Sequence, residues 1–379
     1  MTVNLIVLAA TPLDWSLIPF HFWSLWFFVF GAMVGSFLNV CIHRMPRGLS
    51  IVTPPSHCPH CNYSIPFYLN IPLVTWLWLN GKCRNCGAPI SVRYFVVELL
   101  TGVAFLGCWL EFGDQAHPLA SLSIAVIYAI FLAGLIAATF IDFEHFIIPD
   151  EITLGGIVAG ILISGVVPQL HDSTSHGTGF LRAMMGAAVG AGIVYFVLRL
   201  GKLLFGRQRF PLPPGSKVVF TETALHLPDK EIPFDDIFYR KSDVIVLRAE
   251  TLELVDRCYR DVTVRLSPVR LEICGGTKID EVNPNDVPTM ECRTAEIVVP
   301  REAMGLGDVK FMGAIGAFVG WPGTVFSLLI SSLLGSIIGL SLIALRRREW
   351  SARMPYGPYI ALAAVIWLFI GKKLLEGLL

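Results

Sequence analysis

The sequence predicts an α-helical polytopic membrane protein of about eight transmembrane helices, interrupted by a cysteine-bearing loop and a β-rich insert. Three observations carry that reading. Of 379 residues, 54% are hydrophobic and only 15% are charged. Mean hydropathy is +0.64, a balance that soluble domains rarely show. The apolar residues fall into long runs, and a backbone in hydrocarbon must satisfy its own hydrogen bonds as helix. The basic residues gather in alternate loops, as they do in membrane bundles. The formal net charge of zero argues against nucleic acid as a partner, because phosphate binding leaves a basic surplus.

In chain order the candidate spans cover residues 18–41, 95–112, 118–141, 151–167, 181–205, 308–320, 323–346 and 356–375. The first fifteen residues are apolar but lack the basic start of a cleaved signal peptide, so they are expected to stay on the mature chain. Gly156 and Gly160, and again Gly186 and Gly190, put small residues one turn apart, as close helix packing requires. Glycine is also common in membrane helices without such a role. The sixth run is short and Gly-rich, which suits a broken or tilted helix. Arg44, Arg47, Lys82, Arg84 and Arg93 lie between spans one and two, Lys202, Arg207 and Arg209 follow span five, and Arg346, Arg347, Arg348 and Arg353 follow span seven. The loops of opposite parity have no Lys or Arg. With the N-terminus outside, every strongly basic loop becomes cytoplasmic. Lys372 and Lys373 are the discordant pair.

The chain thus divides into a first span (1–42), a cytoplasmic loop (43–94), spans two to five (95–205), a second cytoplasmic insert (206–304) and spans six to eight (305–379). The second insert holds about half of all the charges. Within it Val262–Leu266 and Val269–Ile273 alternate like half-buried strands around Ser267-Pro268, and Gly275-Gly276 ends the second. Lys217–Thr221, Val244–Leu247 and Glu296–Val299 look similar. This is a small β-rich domain.

Of nine cysteines, Cys58, Cys61, Cys83 and Cys86 form two Cys-x-x-Cys pairs about twenty residues apart, near the spacing of a zinc ribbon. Two such turns present four thiolates and fill a tetrahedron, so the expected site is closed and structural. Paired dithiols without metal are the alternative. Cys41, Cys108, Cys258, Cys274 and Cys292 are scattered, and no disulfide framework emerges, which suits a reducing compartment. The segment between the pairs is strongly apolar and is expected to pack on the bundle or the membrane surface.

An ionisable residue at membrane depth is a functional candidate by default. Asp142 ends span three and Asp308 opens span six, and the topology puts both at the same face. Two carboxylates brought together share a proton, so one can activate water while the other polarises a carbonyl. Gly305 and Gly307 leave room beside Asp308 for a substrate backbone. Asp150, after Pro149, reads as a helix cap. Lys310 reads as an interfacial lysine, and Glu144 and His145 as loop residues. A transporter could use the same aspartates for ion coupling, and the residues themselves leave that open.

Gly35-Ser-Phe-Leu-Asn-Val40 with Arg44 and Pro46, the two Cys-x-x-Cys pairs with Arg93-Tyr94 and Glu98, the Asp142 segment, Gly305-Leu-Gly307-Asp308 and Pro355-Tyr-Gly-Pro358 together resemble the bacterial type IV prepilin peptidases. The resemblance covers nearly everything outside residues 206–300. It implies an aspartic peptidase of the bacterial inner membrane, with its active site at the cytoplasmic face. Such an enzyme cuts the leader of type IV prepilins or type II secretion pseudopilins after a glycine. It also implies N-methylation of the new first residue from S-adenosylmethionine, catalysis by Asp142 and Asp308, and a zinc-ribbon-like loop serving methylation. Glu98 becomes a candidate contact for the substrate amine, beside the plainer reading of a locally packed carboxylate. Presenilin-like intramembrane proteases share Gly-x-Gly-Asp but not the cysteine quartet. The 206–304 insert departs from the resemblance, and docking of substrate or of pilus or type II secretion assembly proteins is one reading of it.

Overall fold

Residues 19–114, 118–234, 237–238, 243–254, 257–275, 278–300, 305–345 and 354–378 are described by a computed structural model of the chain. They fall into two units, Met1–Val194 with Leu306–Leu379, and Tyr195–Gly305. The N-terminal run and the arginines at 346–348 and 353 lie outside the described residues.

The first unit is helical. Its elements are α1 (Phe20–Arg44), the short α2 (Val74–Trp78), α3 (Val92–Phe112), α4 (Pro118–His145), α5 (Asp150–Val166), α6 (His176–Phe205), α7 (Leu306–Ala344), α8 (Gly357–Ile366) and α9 (Lys372–Leu378), with a π-turn at Trp367–Gly371 joining the last two. The last turns of α6 belong to the second unit. Among the described residues six helical stretches are long and apolar enough to cross a membrane, against the eight expected. Two features account for the difference. Helix α5 has 17 residues, about 26 Å of rise, at the short limit for a span. Expected spans six and seven run on as α7, which is broken rather than ended at Gly320 (φ 72°, ψ 176°), with Pro322 just beyond.

Packing explains why the backbone tolerates so many glycines. Helix α1 lies along α3, α5 along α7, and α8 against α7 and α4. A Cβ on Gly186 would sit 2.1 Å from the carbonyl oxygen of Gly316, and one on Gly160 would sit 2.7 Å from Ala317 Cβ. Both small-residue pairs noted in the sequence therefore face α7, Gly186 and Gly190 against its backbone and Gly156 and Gly160 against the side chains of Ala314, Ala317 and Phe318. The two discordant lysines each have an acid: Lys372 Nζ is 2.7 Å from Asp172 and Lys373 Nζ is 2.6 Å from Glu111.

The second unit is an eight-stranded antiparallel sheet in the order β3-β2-β1-β8-β4-β5-β6-β7. The strands are β1 (Arg207–Phe220), β2 (Ala224–Leu227), β3 (Lys230–Pro233), β4 (Ile245–Glu253), β5 (Cys258–Leu266), β6 (Leu271–Gly275), β7 (Lys278–Val282) and β8 (Met290–Pro300). Alternation works as expected: in β4 Ile245, Leu247 and Ala249 point into a core shared with Val262, Val264, Leu271, Ile273 and Ile297. The prolines of β1 fall at a register shift between Pro211 and Ser216, where a missing N–H does the least harm. Ser267 and Arg270 close the β5–β6 turn.

Candidate active site and metal centre

Helix α4 runs one turn past Asp142 and ends where Phe146 turns left-handed (φ 55°), its N–H donating to the Asp142 carbonyl at 3.0 Å. Pro149 then caps α5 by its conformation, without a side-chain bond. Asp142 is 5% exposed and Asp308, in the first turn of α7, is 9% exposed. The N–H of Gly357, the first residue of α8, donates to Asp142 Oδ2 at 2.9 Å. A Cβ on Gly357 would come within 2.8 Å of that oxygen and 3.1 Å of Ile148 Cδ1, while one on Gly307 would meet Ile148 Cβ at 3.5 Å. Buried Ile148 thus lies between the glycine preceding Asp308 and the glycine that binds Asp142. The structure brings both aspartate segments to one side chain. Gly305 is exposed just ahead of α7.

The neighbours settle into other roles. Asp150 does not cap α5; it is the first helical residue, and its carboxylate accepts from Lys310 Nζ at 2.6 Å. Glu144 belongs to the last turn of α4 and pairs with Arg93 at the start of α3. Tyr356 bonds Ser331 and Ser332 through its hydroxyl at 3.0 and 3.1 Å, tying the segment before α8 to α7. The motif Pro355–Pro358 was visible in the sequence, but not that its glycine N–H holds Asp142. Pro358 near a helix start was the available signal.

Glu98 is 8% exposed on α3. Its Oε2 accepts the N–H of Leu73 at 2.7 Å, and Ser36 bonds it as well. Leu73 holds a left-handed φ of 64° at the start of α2, so the carboxylate fixes a strained turn of the cysteine-bearing loop. Asn39 Nδ2 donates to the Tyr94 carbonyl at 3.1 Å. The apolar segment divides: Trp76 packs on Phe95 and donates to the Ile90 carbonyl, while Phe67 and Trp78 are 87% and 68% exposed.

The four paired cysteines converge, with all their sulfurs within 4.8 Å of one another. They come from two turns built alike. Cys58 N–H donates to Tyr63 O and Asn62 N–H to Cys58 O; Cys83 N–H donates to Ala88 O and Gly87 N–H to Cys83 O. Asn62 and Gly87, each following the second cysteine, are left-handed (φ 54° and 71°). Bridges His57–Ser64 and Lys82–Pro89 close the two turns. The Cys58 and Cys86 sulfurs are 3.8 Å apart, about the edge of a tetrahedron with metal–sulfur bonds of about 2.3 Å. Asn85 Nδ2 donates to Cys61 Sγ at 3.6 Å. That bond, followed by one from the Tyr63 backbone, brings the Cys61 thiol down to about 6. The donor set fits a metal ion.

Comparison with known proteins agrees with the geometry. A family described as Bacterial Peptidase A24 N-terminal domain matches residues 29–112, and the Type IV leader peptidase family matches residues 129–208 and 291–340. An Aeromonas hydrophila protein named prepilin leader peptidase/N-methyltransferase is 28% identical over 94% of this chain and 93% of its own length. A Myxococcus xanthus protein of the same name is 42% identical over 51% of this chain and 53% of its own. An Escherichia coli protein named type 4 prepilin-like proteins leader peptide-processing enzyme is 40% identical over 35% of this chain and 53% of its own. No solved structure matches significantly. Most of the β-sheet unit lies between the matched segments, whereas the Asp142 half of α4, the Cys-x-x-Cys turns and the first half of α7 lie inside them; on these grounds the chain belongs to the type IV leader peptidase family.

Proposed function

We propose that this chain is a membrane aspartic endopeptidase that removes the leader of type IV prepilins or type II secretion pseudopilins after a glycine, and N-methylates the new first residue. Asp142 and Asp308 are the catalytic pair. The observation that carries the assignment is the burial of Asp142 and Asp308, with Gly357 donating to Asp142 and both Gly357 and Gly307, the residue before Asp308, packed beside Ile148. Two carboxylates in one site share a proton. The ionised member takes a proton from water as it attacks the scissile carbonyl, and the protonated member donates to the carbonyl oxygen. With one oxygen of Asp142 fixed by a backbone N–H, the other is left for this exchange. Gly305 and Gly307 supply the room along which the leader backbone approaches.

Cys58, Cys61, Cys83 and Cys86 hold a structural zinc ion, since four thiolates leave no position for water or substrate. S-adenosylmethionine is the methyl donor. Glu98 would have to meet the substrate amine with a carboxylate already bonded to Leu73 and Ser36; its bonds support a role as anchor of the loop. Counting α5 and both halves of α7 as spans gives eight. The alternation of basic loops supports an inner-membrane topology with the active site at the cytoplasmic face.

The test is cleavage of a prepilin by purified protein, with and without S-adenosylmethionine. Asp142→Asn and Asp308→Asn should each lower cleavage by at least about 10²-fold, while the protein still accumulates in the membrane. Near-normal cleavage by either variant would remove that residue from the mechanism.

A further inference from the structure

A cavity of about 270 Å³ opens at the end of the bundle remote from Asp142. Phe112, the last residue of α3, and Tyr128 line it; Arg93, the second residue of α3, pairs instead with Glu144 beside Asp142. Tyr128 and Asp142 are fourteen positions apart on α4, about 21 Å of helix. The polar wall is made by His171, Asp172, Arg182 and Lys372. Lys372 Nζ bonds Asp172 Oδ1 at 2.7 Å, whereas Arg182 donates to the backbone carbonyls of His171 and Asp172. Two cations therefore face one carboxylate, and one positive charge is left over. The break at Gly320 adds to it, because the helical segment restarting at Trp321 presents its N-terminal, positive end at the same wall.

His171 supplies a further requirement. It is 93% buried, given its 7% exposure. Its Nε2 lies 3.1 Å from the Ala317 carbonyl oxygen, which can only accept, so Nε2 carries the proton. Burial holds the imidazole below its usual value and so neutral at pH 7. Nδ1 is then an acceptor; it lies against Gly320 and has no bonded partner among the described residues. A ligand that satisfies this wall carries a negative charge for the cations and a hydroxyl donor for Nδ1. Exposed Trp321 and buried Trp367, with Met185 and Leu368, line the rest of it and supply the apolar and aromatic surroundings of a bilayer interface.

We propose that this cavity binds a glycerophosphate group, the headgroup chemistry of phosphatidylglycerol, with the phosphate between Arg182, Lys372 and the start of the Trp321 segment and a glycerol hydroxyl donating to His171 Nδ1. An ethanolamine headgroup, whose ammonium would meet surplus positive charge, is disfavoured. A choline headgroup lacks the hydroxyl.

The experiment uses the full chain in detergent, titrated with phosphatidylglycerol, phosphatidylethanolamine, phosphatidylcholine or soluble glycerol phosphate. Bound lipid is counted by native mass spectrometry and melting temperature is recorded. Phosphatidylglycerol should be retained selectively and raise the melting temperature. Lys372→Ala and Arg182→Gln should each weaken retention about tenfold. Lys372 sits in an exposed ion pair, so its variant should melt like the wild type without lipid, which separates loss of the site from loss of the fold. Stabilisation by glycerol phosphate equal to that by the lipid would support the same chemistry with a free ligand as its source. Equal retention of all three lipids, or unchanged retention in both variants, would overturn the proposal.

Discussion

One oxygen of Asp142 is held by a backbone N–H, and the identity of residue 357 decides whether that can happen. An added methyl group at Gly357 would lie 2.8 Å from Oδ2 and 3.1 Å from Ile148 Cδ1, so either the carboxylate or α8 must shift. A displacement near 1 Å at a reacting group costs about 10²-fold in rate. Gly357→Ala should therefore lower the turnover of leader cleavage on that order while the protein extracts and melts normally; wild-type turnover would show that the Gly357 bond is dispensable. The two aspartates were legible because ionisable residues stand out in apolar runs. Gly357 was not, since a backbone donor has no sequence signature. Asp150 shows the opposite failure. A carboxylate at the start of a helix can cap it or reach a distant cation, and Lys310, 160 positions away in sequence, decides which.

At the scale of elements, legibility follows local pattern. The long strands were readable because their buried residues alternate, as in β4, β5 and β8. The β2–β3 hairpin was not, because four-residue strands hold too few alternations to be told from a turn. Helix α7 was read as two spans, 308–320 and 323–346, the first short and Gly-rich, and the left-handed Gly320 is the physical reason that reading was close. The Cys-x-x-Cys turns were the clearest of all, since their spacing is itself the ligand geometry. Their matching backbone bonds make a concrete expectation possible. Cys58→Ser should lose one metal equivalent by elemental analysis and make residues 58–88 sensitive to protease, because a structural metal contributes folding free energy directly. Asp142 and Asp308 stand on other helices, so methylation should fall further than leader cleavage. Zinc-free wild-type protein with an intact loop would refute the metal assignment, and equal loss of both activities would refute the separation.

At the scale of the whole molecule, the question is what the sheet unit adds to the helical one. The helical unit has its own reasons to hold together: α6 and α7 meet at backbone contact through Gly186 and Gly316, and α5 meets α7 through Gly160. The sheet unit has a separate core, closed among Val218, Leu247, Val264, Ile273, Ile297 and their neighbours. Its first and last strands are antiparallel neighbours with Arg207 opposite Pro300, so the chain enters and leaves it about 5 Å apart. A linker joining such close ends imposes little closure cost, and that cost grows slowly with length. Replacing residues 210–298 with a short Gly/Ser linker should therefore leave the helical unit folded and able to cut a short leader peptide at close to the wild-type rate. Intact prepilin is the substrate on which any docking function of the sheet would register, as a rise in KM with kcat retained. The trimmed and full enzymes would be compared on both substrates, with melting temperature as the control for folding. Loss of peptide cleavage in a trimmed protein that melts cooperatively would mean that the sheet unit helps to build the active site, and the accessory reading would have to be abandoned.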